Sequence, residues 1–99
     1  MEKPFFVKAL EKADPEMLKH MTAMSDFAGK DGAIPAKMKT LMSMLGDAIL
    51  GHPNGVKALA DRARTQGASE QEIAETVRMA FFCAGMPGLV TGTYAFRRS

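Results

Sequence analysis

The sequence of 99 residues contains a single cysteine, Cys83. One thiol cannot form an internal disulfide, cannot run a two-cysteine redox cycle and cannot build a multi-thiolate metal site. We therefore expect no disulfide framework and no bound metal, and no sequence pattern calls for a cofactor. Low cysteine usage is typical of a reducing compartment, so the predicted localisation is cytoplasmic.

The sequence also has only a small excess of basic over acidic residues, and it has no long apolar run. The 13 basic and 11 acidic residues leave a formal charge of +2, and the longest basic run is the pair Arg97-Arg98. Such a balance argues against a nucleic-acid-binding surface. No stretch approaches the roughly 20 apolar residues of a membrane helix, and the apolar patch at residues 4–7 is too short for a targeting signal. We expect neither a nucleic-acid nor a membrane partner.

Strand patterns are missing as well, because no alternation of polar and apolar residues is long enough to predict a β-strand. A hydrophobic content of 46% indicates a globular protein, and one of this length gains stability from self-association. We predict a single all-α domain over residues 1–99, with about six helices, that forms oligomers. The clearest predicted helices cover residues 15–28, 35–50, 53–66, 70–84 and 89–96.

Several helix ends are marked by local signals. Asp14 before Pro15 is a typical N-cap, and Gly67 suits a left-handed C-cap. The run from Ser69 to Glu72 is a capping box, in which side chain and backbone satisfy each other's hydrogen bonds. These signals fix where the predicted helices begin and end more firmly than their apolar pattern does.

Burial is predicted from the helical period. The third of these helices should bury Val56, Leu59, Ala60 and Ala63, and the fourth should be buried nearly all round. Small residues at Gly88, Gly92 and Ala95 predict a close approach by another helix. The nine methionines follow the helix stripes and indicate core or subunit contacts, since methionine is a common gap-filler.

Three segments in order resemble the carboxymuconolactone decarboxylase family, which includes the alkylhydroperoxidase D-like proteins. They are Ile-Pro-Ala-Lys-Met-Lys at 34–39, Gly-Ala-Ser-Glu-Gln-Glu-Ile-Ala-Glu at 67–75, and Gly-Met-Pro-Gly at 85–88. The resemblance covers about residues 34 to 90. It implies an all-α fold around a helical hairpin, homo-oligomers that are often trimers or hexamers, and peroxidase or decarboxylase activity.

The residues that carry the family's chemistry are replaced in this chain. Redox members resemble one another in a glutamate, a Cys-x-x-Cys motif and a histidine four residues later; these positions fall on Thr40, His52, Gly55 and Leu59. The paired thiolates and their proton relay are therefore lost. The decarboxylase branch lacks the cysteines but keeps the histidine, which is Leu59 here, so the chain departs from both patterns.

Four residues are candidates for a remaining site. Near the family site, Thr40 could serve as a polar anchor, His52 as a base and Cys83 as a nucleophile. The alternatives are a solvated helix cap for His52 and an inert, buried core thiol for Cys83, whose neighbours are apolar. Arg78 could bind an anionic ligand or pair with Glu72 or Glu75 on its own helix, whereas Arg62 and Arg64 are predicted to be solvated.

The first interpretation is a divergent family member without the redox dithiol, which binds a small molecule or serves as an oligomeric scaffold. An enzyme with a non-standard site, acting as an antioxidant peroxidase or a lactone decarboxylase, is the alternative. A structural partner that assembles with a cysteine-bearing paralogue is a third.

Overall fold

The computed structural model describes residues 3–97 and is helical, with no β-strand in that range. It divides into two units, the described residues up to 30 and those from 31 onward. The prediction of an all-α fold with about six helices is confirmed. The helices are α1 (Phe5–Ala13), α2 (Pro15–Gly29), α3 (Ala36–Leu50), α4 (Pro53–Thr65), α5 (Glu70–Gly92) and a closing 3-10 helix (Thr93–Phe96).

The first unit consists of α1 and α2. The Asp14 carboxylate accepts the Met17 backbone N–H at 3.1 Å, so the predicted N-cap of α2 is confirmed. Sequence analysis did not predict α1, whose N-cap residue, Pro4, provides no side-chain hydrogen bond. Neither helix has a buried residue, and the apolar side chains of α2 line an open surface groove.

In the second unit, α3 and α4 form a hairpin around a left-handed glycine. Gly51 ends α3 at φ +81°, and Gly67 follows α4 at φ +94°, as its sequence position predicts. The prediction of the buried α4 face holds, since Val56, Ala60 and Ala63 are fully buried and Leu59 packs beside them.

Helix α5 begins with the predicted capping box. Ser69 Oγ accepts the Glu72 N–H at 3.0 Å, while the Glu72 carboxylate accepts the Ser69 N–H at 2.9 Å. The helix breaks at Gly85, whose φ of +68° and ψ of −153° lie outside the helical region. This break falls where the Gly-Met-Pro-Gly segment predicts it.

Beyond Gly85 the chain folds back on the first part of α5. A Cβ atom at Gly88 would lie 2.6 Å from the Ala80 carbonyl oxygen, and one at Gly92 would lie 3.0 Å from Val77 Cγ1. In a continuous helix, residues 77 and 92 would be about 22 Å apart. The small residues therefore do admit a neighbouring helix, but that helix is the other part of α5.

The buried core lies between α3, α4, α5 and the 3-10 helix. Ten apolar residues form it: Leu41, Met44, Ala48, Val56, Ala60, Ala63, Ile73, Val77, Ala80 and Ala95. The prediction that α5 is buried nearly all round is wrong, because Met79, Phe81 and Phe82 are 45%, 49% and 81% exposed. Only the face of α5 that carries Ile73, Val77 and Ala80 packs into the core.

The stretch Glu70–Phe96 is long and apolar enough, by length and composition, to cross a membrane, although only 22% of its most apolar window is buried. The non-helical backbone at Gly85 interrupts it after fifteen residues, and the second part turns back on the first. Neither part reaches the roughly 20 residues that a single crossing requires.

Candidate functional site

The four positions of the family's redox motif lie on α3, on α4 and at the turn between them. Thr40 is buried at 6% exposure in α3, and Leu59 packs against the core from α4. Two of the four positions are therefore part of the packed interior. His52 is exposed just before α4, and the partly buried Gly55 is the third residue of that helix.

His52 occupies the N-cap position of α4, as predicted, but its side chain makes no capping hydrogen bond. Its ring Nδ1 lies 3.1 Å from Asp47 Oδ1, on the last turns of α3. The imidazole is 57% exposed and the carboxylate 27%. Asp47 is a functional candidate that sequence reasoning missed, although a carboxylate five residues before a histidine across a glycine C-cap is a readable signal.

Cys83 is exposed, so the prediction of a buried core thiol is wrong. The thiol lies on the outer face of α5, beside Phe81 and Phe82, which are themselves exposed. Apolar neighbours in sequence predict burial only when they share the core face, and these do not. No hydrogen bond joins Cys83 to His52 within residues 3–97.

Arg78 is also exposed on α5. Its expected partners are engaged elsewhere: Glu72 pairs with Lys37 at 3.2 Å, and Glu75 accepts from Gln71 at 3.2 Å. The Ser69 backbone N–H and the Lys37 ammonium hold the pKa of Glu72 below its ordinary value. In the described part of the chain, no ion pair joins Arg78 to either glutamate.

The structure therefore does not link the four predicted residues to one another by hydrogen bonds or ion pairs among residues 3–97. It pairs His52 with Asp47 instead. The same described range contains no group of three or more His, Cys, Asp or Glu side chains that could hold a metal ion.

A groove that sequence analysis did not identify lies between α3 and α5. It has a volume of about 320 Å³ and is lined by Met38, Leu41, Glu72, Glu75, Thr76 and Met79. The apolar floor comes from Met38 and Leu41 of α3 and from Met79 of α5, and one face of α5 supplies the carboxylate rim. Glu72 at this rim pairs with Lys37 at 3.2 Å, so the groove combines an apolar floor with an ion-paired carboxylate.

Comparison with known proteins agrees with this architecture. The family model described as "Carboxymuconolactone decarboxylase family" matches residues 15–97. No curated protein matches the sequence significantly.

Two solved structures are similar to this one. A carboxymuconolactone decarboxylase family protein from Legionella pneumophila, in its apo form, superposes with a TM-score of 0.85 at 26% identity, covering 90% of this chain and 80% of that one. A proposed carboxymuconolactone decarboxylase from Burkholderia xenovorans gives a TM-score of 0.82 at 25% identity, with 95% and 77% coverage. With the family model spanning most of its length, this chain belongs to the carboxymuconolactone decarboxylase family.

Proposed function

We propose that this protein is a cytoplasmic homo-oligomer that has lost the dithiol chemistry of its redox relatives, and that it binds a small molecule or serves as a scaffold. The Gly85 apolar surface carries this proposal. We define it as the exposed side chains on either side of the α5 break, namely Phe81, Phe82, Cys83, Met86 and Val90.

The core of one chain is small compared with the apolar surface that the chain leaves in water. Of the ten buried apolar residues, five are alanines, and the largest fully buried side chains are Met44, Ile73 and Val56. Phe82 and Met86, in contrast, are 81% and 59% exposed. Exposed apolar clusters of this kind mark interfaces, and a domain of this size needs the added burial.

A second copy of the chain is the proposed occupant of the Gly85 apolar surface. None of its five side chains is charged, and the exposed Arg78 lies one turn before Phe82, so the surface favours a mainly apolar partner. The family resemblance implies trimers or hexamers. Burying the surface in this way would also cover Cys83.

The loss of redox chemistry follows from the residues themselves. Peroxide reduction by a dithiol needs an attacking thiolate and a resolving thiol, and this chain has one cysteine in all. The groove between α3 and α5 supports the binding role, since an apolar floor with a few convergent polar groups is typical of a ligand site.

Light scattering combined with native mass spectrometry tests this proposal. We expect the wild-type chain at micromolar concentration to have a mass of three or six times 10.7 kDa. Phe82→Glu places a charge in the proposed interface and should shift the mass toward one chain. Gln71→Glu, which adds the same charge to the exposed first turn of α5, is the matched control and should leave the mass unchanged.

The same spectra separate the two roles. A mass in excess of the chain multiple, present in the native oligomer and lost on denaturation, indicates a bound molecule and favours the binding role. An exact multiple favours the scaffold. A wild-type monomer at these concentrations, or a Phe82→Glu variant of unchanged mass, contradicts the homo-oligomer.

A further inference from the structure

The Asp47–His52 pair is held by the backbone as well as by its side chains. The two residues flank the left-handed Gly51, and the His52 N–H donates to the Asp47 carbonyl oxygen at 2.9 Å. This turn places the imidazole beside the carboxylate, with Nδ1 and Oδ1 3.1 Å apart. Backbone and side-chain hydrogen bonds therefore both hold the pair at the junction of α3 and α4.

The contact also fixes which ring nitrogen carries the proton. An ionised carboxylate only accepts hydrogen bonds, so Nδ1 must donate, and the neutral ring then has its lone pair on Nε2. With the imidazole 57% exposed, Nε2 is open to small molecules from solvent. A carboxylate on Nδ1 also holds the imidazole ring in one orientation.

Gly55 makes this arrangement possible. It is the third residue of α4, and a Cβ atom there would overlap the Asp47 carboxylate and approach His52 Cβ to 3.6 Å. The carboxylate thus occupies the space that a side chain at residue 55 would fill, close to the helix N-terminus, where the helix dipole favours negative charge. Glycine at this position is required by the pair and not by the backbone, because Gly55 has no positive φ.

We propose that Asp47 and His52 form a proton-transfer site, in which His52 Nε2 is a general base and Asp47 is its positioning residue. Small activated esters are the substrate class that an open site of this kind can attack. Nε2 takes a proton from water as the water oxygen bonds to the ester carbonyl carbon. The carbon–oxygen bond to the leaving group then breaks, and the proton returns from Nε2 to the departing oxygen or to solvent.

This inference goes beyond the proposed oligomeric role and does not depend on it. The Asp47–His52 pair lies within a single chain and involves no cysteine, so the site would remain in a monomer. An experiment on the ester reaction can fail while the oligomer persists, and the reverse also holds.

The test uses p-nitrophenyl acetate hydrolysis together with ¹⁵N NMR of the imidazole nitrogens. We expect wild-type His52 to show a protonated Nδ1 in its neutral form. His52→Gln should lower the hydrolysis rate about tenfold, which is less than the roughly 10²–10⁴-fold typical of general acid–base catalysis because the site is open. His20 contributes the same background to every variant.

Two glycine variants separate positioning from folding. Gly55→Ala should push the Asp47 carboxylate off Nδ1, abolish the fixed tautomer and reduce the rate toward that of His52→Gln. Gly46→Ala, at a helical glycine with no atom within 4 Å of the added Cβ, should leave both readouts unchanged. Asp47→Ala should reproduce Gly55→Ala, with circular dichroism confirming that each variant is folded.

Two results would overturn the proposal. The first is a wild-type rate equal to that of His52→Gln; if the tautomer is nevertheless fixed, the pair is a structural feature of the turn. The second is a tautomer that Gly55→Ala and Asp47→Ala leave unchanged.

Discussion

At the scale of single residues, Arg64 differs most clearly from its sequence-based prediction as a solvated side chain. It is only 15% exposed, and it donates to Glu70 at 2.7 Å, to Asp61 at 2.9 Å and to the Ala95 carbonyl oxygen at 2.7 Å. The Glu70 hydrogen bond is the main reason that its pKa lies above the ordinary value, although burial acts in the opposite direction. Arg64 thus joins α4 to the start of α5 and to the 3-10 helix.

Replacing Arg64 by methionine should therefore destabilise the fold. Methionine keeps the length of the aliphatic stem but leaves the Ala95 carbonyl without its donor and removes the charge between two carboxylates. We expect a loss of about 2 kcal/mol in the free energy of unfolding, mainly from the Ala95 carbonyl, since the two carboxylates are more exposed and their ion pairs contribute less. Urea denaturation measures this loss, and Arg62→Met on the exposed side of α4 is the control, expected within about 0.5 kcal/mol of wild type.

Sequence analysis could not have identified this role. Two of the partners of Arg64 are three and six residues away, within reach of local reasoning, but Ala95 lies 31 residues further along the chain. The Asp14 cap and the Ser69–Glu72 capping box were predictable because every atom that they need lies within four residues. Local hydrogen bonds are readable from sequence, whereas burial depends on which distant element packs alongside.

At the scale of helices, the break at Gly85 determines how α5 packs. The predicted stop and the second helical segment are both present, but the sequence pattern did not reveal that the second segment would fold back on the first. Consequently Gly88 and Gly92 contact the chain's own Ala80 and Val77, and the apolar side chains around the break remain exposed. The periodicity of α5 alone could not distinguish a core face from a face left for a partner.

Gly88→Ala tests the close approach inside α5. The added Cβ would lie 2.6 Å from the Ala80 carbonyl oxygen and 2.9 Å from Ala84 Cβ, and these backbone-linked atoms cannot turn aside as a long side chain can. We expect a loss of roughly 1–3 kcal/mol, as for other overpacked sites. Calorimetry should therefore show a lower thermal midpoint of unfolding for Gly88→Ala than for the wild-type protein.

Gly46→Ala provides the comparison for Gly88→Ala. Gly46 lies within α3 and has open space around an added Cβ, so alanine should be neutral or should stabilise the helix by up to about 1 kcal/mol. Equal effects of the two substitutions would contradict the packing described for α5.

At the scale of the whole molecule, the family and the all-helical fold were both predictable from three sequence segments in order. The candidate site was predicted only in part. His52 is accessible at the start of α4, but Thr40 is buried, Cys83 is exposed on α5, and Asp47 was not considered. The family motif supplied positions in the chain, while the partners of the replacement residues depended on side-chain packing that the motif does not encode.

The exposed Cys83 thiol bears on whether this chain can carry out the family's redox chemistry. An exposed Cys83 is accessible to oxidants in a single chain, but it has no second cysteine with which to resolve an oxidised product. Family membership therefore does not by itself imply the family's redox activity. Under the proposed function, this chain keeps the family fold and an apolar interface but has lost the peroxidase cycle.

A peroxide-consumption assay on the purified protein, with a thiol reductant present, tests whether this chain has lost the peroxidase cycle. The wild-type chain and Cys83→Ala should both consume hydrogen peroxide and an organic hydroperoxide at the rate of the protein-free control. A rate well above that control which Cys83→Ala abolishes would contradict the account.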